Sequence, residues 1–236
     1  MRADNLHVMI SGGLTAAYDQ LAPAFERASG HRLVTARGAS MGAAPDAIPQ
    51  RLARGEPADV IILAAEGFEA LAARNLALPG TRVDLVHSRI GLAVREGAPR
   101  PDISTVAALR RTLLEAPSIA YSASASGVYF ERELLDRLGI RPEVAPRSRR
   151  IYSERVGSVV ARGEAALGLQ QMSELLPIPG LAILGPLPEE VQRVTIFSAG
   201  HAAGIRNQAG AAALIAFLRS EEAAPVIRAT GLDPIR

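Results

Sequence analysis

Three times in this chain a short apolar run stops at small residues, hydroxyl-bearing or glycine, and a helical pattern begins directly afterwards. Residues 6–10 lead through Ser11-Gly12-Gly13 into residues 14–29. Residues 32–36 lead through Gly38-Ala39-Ser40-Met41-Gly42 towards a helix near 47–53. The run before Tyr121 leads through Ser122, Ser124, Ser126 and Gly127 into a helix ending near Leu138. Apolar positions recur at helical spacing in the long segments, as at Leu14, Ala17, Tyr18, Leu21 and Phe25. Strands of this length followed by covering helices restrict the chain to an α/β fold. Residues 60–64 are apolar throughout, which predicts a central strand covered on both faces.

The character changes near Arg82, where residues 83–97 are a long β-rich stretch. The pattern predicts two lobes, residues 1–84 with 195–236 and residues 85–194. The chain crosses between them near residues 85–94 and again near 194–198. Two crossings without a flexible linker predict a paired-strand hinge with a cleft beside it. A chain of 236 residues, 48% hydrophobic and 21% charged, buries enough surface for both lobes.

Each strand–helix junction leaves the first N–H groups of its helix without intrahelical partners, beside serine hydroxyls. Tyr152-Ser153-Glu154, opening a predicted helix to Arg162, adds a fourth junction. One serine-rich turn is an ordinary helix cap. Four of them are expected to converge on one small anion, because ligands of wound sheets lie beyond the carboxyl ends of the strands.

Composition excludes several alternatives. No cysteine is present, which removes disulfides, thiolate metal sites and cysteine nucleophiles. All 26 basic residues are arginine, which removes Schiff-base chemistry on lysine. The arginines are scattered and aromatic residues make up 4%, so no nucleic-acid partner is expected. His7, His31 and His87 lack metal-ligand spacing, and neither a metal nor a cofactor is expected. Residues 38–42 match G-x-S-x-G, yet they form a loose loop framed by Arg37 and Pro45 and not a strained elbow after a strand. No run reaches the length of a membrane span, so no membrane insertion is expected. The chain is expected to be a monomer, cytoplasmic if Met1 is native and periplasmic if a signal peptide was removed.

The segments SGGLTAAYDQLAPAFERASGH, RGEPADVIILA, YSASASGVYFERELLDRLGI and ARGEAALGLQQMSELLPIPG together resemble the molybdate-binding branch of the type 2 periplasmic binding protein superfamily. The resemblance runs in order along the chain. It implies a two-lobe fold of mixed sheets flanked by helices, a ligand clamped at the hinge, and an ABC permease as partner if the protein is secreted. Carried over residue by residue, the family's oxyanion contacts fall on Gly13, Ser40, Ser126, Ser153 and Gln171. Two of these depart from the family pattern: Gly13 lacks the hydroxyl, with Ser11 nearby, and Gln171 replaces a tyrosine. These departures, with YSASASGVY and GLQQMSELLP, resemble a subgroup that contains aconitate isomerase.

The expected ligand is a small organic anion, a di- or tricarboxylate. It is held by Ser11, Gly12, Gly13, Ser40, Met41, Ser122, Ser124, Ser126, Ser153, Gln170 and Gln171, with Arg155 or Arg149 as a charged clamp. Simple binding is the first reading and a cofactor-independent allylic isomerase the alternative; a molybdate-type oxyanion ranks third. An isomerase needs a base, and the candidates in order are Glu154, Tyr152 and His201.

Overall fold

The computed structural model describes residues 5–152 and 154–236. Its strands are β1 (Asn5–Ile10), β2 (Arg32–Arg37), β3 (Val60–Ala64), β4 (Val83–Ser88), β5 (Ile90–Arg95), β6 (Ile119–Ser122), β7 (Ser148–Ile151), β8 (Leu167–Gln171), β9 (Leu181–Pro186), β10 (Thr195–His201) and β11 (Leu232–Pro234). They form two mixed sheets, one ordered β11-β4-β10-β3-β1-β2 and the other β7-β6-β8-β5-β9. The chain divides into two compact units, residues 1–87 with 196–236 and residues 88–195.

In the first unit, β1 runs parallel to β2 and β3, and β10 returns antiparallel against β3. All five residues of β3 are buried, as a central strand requires. Each such Val, Ile or Leu side chain contributes about 1.5–3 kcal/mol on burial. Helix α1 (Gly12–Ser29) follows β1, and Gly30 closes it in the left-handed conformation at φ 74°. Two shorter helices complete the early half, α2 (Ile48–Ala53) and α3 (Ala65–Ala73).

The second unit begins where the extended stretch of residues 83–97 is interrupted at Arg89, with β4 in one sheet and β5 in the other. Helix α4 (Val106–Glu115) is capped by the Thr105 hydroxyl, which accepts the Ala108 N–H at 3.1 Å. After β6 comes α5 (Ala125–Tyr129), continued by a π-helical turn over Phe130–Leu134 and a last turn to Arg137. Residues 141–150, where the sequence pattern is weak, form a short helix, Arg141–Val144, and most of the edge strand β7. The core of this unit gathers Leu92, Leu109, Leu113, Ile119, Tyr121, Phe130, Leu134 and Leu169.

Candidate functional site

In the first unit the parallel register brings the ends of β1, β2 and β3 to one sheet edge, since Ile10 pairs with both Arg37 and Ile62. Ser11 therefore caps α1 in an extended conformation, and its N–H donates to the Ile62 carbonyl at 2.8 Å. Its hydroxyl is buried and has no hydrogen-bond partner among the described residues. A buried hydroxyl left unpaired at a helix N-terminus is a donor suited to an anion. Ser40 lies at the same edge, where its Oγ accepts the Ala64 N–H at 3.0 Å and keeps its own proton to donate. Met41 follows in the loop and is half-buried.

Gly12 opens α1, and Gly13 next to it explains its own lack of a side chain. A Cβ at Gly13 would lie 2.0 Å from Cζ of Phe197 on β10, and Phe197 is only 2% exposed. The ring occupies the space that a serine would need.

His201 stands elsewhere. It pairs with Val60 at the start of β3, whereas Phe197 pairs with Ala64 at the end. Four residues of strand separate the two, about 13 Å. The Nδ1 atom of His201 is buried without a hydrogen-bond partner among the described residues, at the edge opposite Ser11 and Ser40. The antiparallel register thus places His201 apart from those serines.

In the second unit β6, β7 and β8 are parallel, with Ser122 opposite Ile151 and Tyr121 opposite Leu169. This register puts Ser122–Ser126, Tyr152, Glu154, Arg155 and Gln170–Gln171 at one edge. The Ser122 and Ser126 hydroxyls are 3.0 Å apart and both buried, and the Ser124 N–H donates to Ser122 Oγ at 3.3 Å. Ser124 caps α5 without using its side chain. The close approach of α5 to β6 depends on Gly127, where a Cβ would lie 1.6 Å from the Ser122 carbonyl oxygen. Ser153 lies outside the described residues.

The helix after this loop, Val156–Ala161, begins later than its sequence pattern suggests, with Arg155 as its cap. Glu154 is therefore not a first-turn carboxylate. It is exposed and pairs with Arg162 at 2.9 Å. Tyr152 is 57% exposed, and Arg149, on β7, faces Glu164 at 3.6 Å.

The two glutamines of β8 are buried and engaged. Gln170 Oε1 accepts the Val156 N–H at 3.0 Å. Gln171 Oε1 accepts the Ser88 hydroxyl at 2.8 Å, and its Nε2 donates to Thr195 Oγ1 at 2.9 Å. The amide that stands where the family has a tyrosine thus ties together the two segments through which the chain enters and leaves this unit.

One residue at this edge has no counterpart in the sequence-level candidates. Glu174, in the short helix Met172–Leu175 after β8, is 9% exposed. Burial pushes its carboxyl up to about 7, against the opposing pull of Arg155, the Gln170 side chain and the Gln171 N–H. A helical glutamate in GLQQMSELLP carries no periodic signal that separates it from a solvated one.

Among the described residues, no group of three His, Asp or Glu side chains is placed to hold a metal, and no helix is long and apolar enough to cross a membrane.

Two mixed sheets, each ending in serine-bearing helix junctions, define the fold of a type 2 periplasmic binding protein. The chain belongs to the bacterial extracellular solute-binding protein family, whose model matches residues 6–233. It is 44% identical over 230 residues to the aconitate isomerase of a Pseudomonas species, covering 98% of this chain and 88% of that one. Among solved structures it resembles the periplasmic molybdate-binding protein of Azotobacter vinelandii, with a TM-score of 0.78, 22% identity, and coverage of 98% of this chain and 100% of the other. The sulfate-binding protein of Mycobacterium tuberculosis gives a TM-score of 0.73 at 15% identity, covering 98% of this chain and 87% of that one. At these identities the two structures speak for the fold.

Proposed function

We propose that this protein binds a small organic polycarboxylate and moves its double bond between allylic positions, as an isomerase of aconitate. The observation that carries the reading is the 44% identity with an aconitate isomerase across nearly the whole chain. The donors at each unit's carboxyl edge support it: buried, uncharged hydroxyls, Ser11 and Ser40 in the first unit and Ser122 and Ser126 in the second, with the Arg155 guanidinium beside the latter, are groups that suit carboxylates. Shifting the double bond requires a proton to leave one carbon and return two atoms along, while donors hold the enolate-like charge between. In this reading the proton-transfer group is drawn from Glu154 and Tyr152, after the end of β7, and Glu154 has to leave its pair with Arg162 to act.

A second reading rests on membership of a solute-binding family. In that role the same residues hold the anion without turnover, outside the cytoplasm, for delivery to an ABC permease. Proton NMR of cis- and trans-aconitate with the protein separates the two, because interconversion is expected of an isomerase and unchanged spectra with saturable binding of a binding protein. A thermal-shift response to molybdate alone would overturn the polycarboxylate claim. Ser11→Ala removes a hydroxyl that no described protein group bonds. It should leave stability within about 0.5 kcal/mol and weaken carboxylate binding at least about tenfold.

A further inference from the structure

The second unit has another concavity, at the sheet edge opposite Ser122 and Gln171. Ile119 pairs with Leu167 on one side of β8 and Ala93 with Gly168 on the other, so the start of β6 and the end of β5 flank the first residue of β8. A cavity of about 510 Å³ opens there, within the range of about 300–1,000 Å³ that small-molecule sites occupy. Its walls include Val94, Leu167, Ala98, Pro99, Pro101 and Pro117. Several polar groups around it are bonded within the protein. The Thr112 hydroxyl donates to the Asp102 carbonyl at 2.9 Å, which holds the proline-bearing loop against α4. The Ala166 N–H donates to Ser118 Oγ at 3.0 Å and the Leu167 N–H to the Ser118 carbonyl at 3.2 Å.

Two charges at this cavity remain. Arg95, at the end of β5, and Glu115, the last residue of α4, both line it and both are exposed. Neither side chain has a hydrogen bond or ion pair among the described residues. The Arg95 guanidinium lies over Gly163, another wall residue, with Nη1 3.3 Å from where a Cβ would stand. Arg147, which reaches the end of α4, donates to the Leu113 and Leu114 carbonyls and leaves Glu115 alone. Glu115 leads into β6, and β6 and β5 stand on either side of β8, two strand spacings or about 9–10 Å apart. The two charges thus belong to opposite flanks of an apolar floor.

We propose that this cavity is a second ligand site, for an ω-amino acid: a small molecule with a hydrocarbon middle, a carboxylate that pairs with Arg95 and an ammonium that pairs with Glu115. The chemistry of the walls selects this class. A lone anion or a lone cation leaves one of the two charges without a partner. An α-amino acid carries both charges on one carbon and does not reach both flanks. A peptide brings N–H and C=O groups into the middle, where proline and alkyl walls leave them unpaired. The site lies within the second unit, and the inference holds whether the protein is an isomerase or a binding protein.

The test is a titration of the isotope-labelled full chain with ω-aminocaprylate, followed through its amide NMR shifts, with caprylate and octylamine as controls. Saturable shifts should centre on Ala98, Ala166 and Leu167 and spare Ser122 and Ser126. Each control lacks one charge and should bind about fivefold more weakly or worse, as the loss of one ion pair implies. Arg95→Glu and Glu115→Arg should each weaken ω-aminocaprylate to the same extent, and the double variant should recover the affinity with the ligand reversed. Both side chains are exposed and unpaired, so the variants should fold, which thermal melting checks. The two controls need no variant. No saturable binding of ω-aminocaprylate below about 10 mM overturns the inference. So do shifts confined to the Ser122 edge, caprylate binding as tightly as ω-aminocaprylate, or a folded Arg95→Glu with wild-type affinity.

Discussion

Restoring the family's serine at position 13 tests whether Phe197 is what removed it. In the Gly13→Ser variant the new Cβ would sit 2.0–2.6 Å from three ring carbons of Phe197, where ordinary contact begins near 3.4 Å. The ring must retreat by about 1.4 Å, and at 2% exposure it has no open space to enter. Overpacking of a well-filled core costs about 1–3 kcal/mol, and this overlap belongs at the upper end. A loss of about 3 kcal/mol lowers the melting temperature of a chain this size by about 6–12 °C. Phe197→Ala alone should lose about 3–5 kcal/mol through the cavity it leaves. In the double variant the serine grows into that cavity, so the combined loss should fall short of the sum by about 1–3 kcal/mol. Urea unfolding of the four proteins closes the cycle. A Gly13→Ser protein within about 0.5 kcal/mol of wild type, or strictly additive losses, would refute the argument.

Asp59 should govern the acid limit of the first unit. Burial raises its carboxyl, yet bonds from the His7, Arg206 and Asn207 N–H groups hold it below the usual range. A carboxyl lowered in the folded state contributes stability that is full above the unfolded value, about 3.9, and lost as the pH falls through the folded one. Asp59→Asn should therefore cost about 1–3 kcal/mol at pH 7 and flatten the loss below pH 4, as measured by urea midpoints across pH. Gln171→Leu should cost about 1–3 kcal/mol by leaving the Ser88 and Thr195 hydroxyls unpaired in the second unit, read by the same denaturation.

The α/β class and most elements were legible because they rest on local signals. Apolar runs such as β3, the Gly30 stop and a cap at Ser104 or Thr105 each declare themselves within a few residues, and the structure caps with Thr105. The edge strand β7 was not legible, since Ser-Arg-Arg-Ile becomes a strand through its pairing with β6. The same distinction separates the site residues. Serines and glycines at the junctions follow from chain order, and the parallel registers then place them at sheet edges. His201 could not be placed from chain order, because an antiparallel strand delivers its last residue to the opposite edge.

What a residue's bonds leave free is a tertiary fact, and it reorders the candidates more than position does. Gln171 stands where the family has a ligand-binding phenol, but Ser88 and Thr195 already bond both ends of its amide. Ser11 was the substitute for a missing hydroxyl, and it is the serine whose oxygen no described group bonds. Glu154 carries the negative charge that sequence places at the helix opening, and Arg162 holds that charge at the surface. Glu174, three residues beyond Gln171, is the carboxyl that burial leaves near its midpoint at neutral pH. Which of these side chains keeps an unused hydrogen-bonding group is therefore decided by packing, and chain order decides only the edge at which it stands.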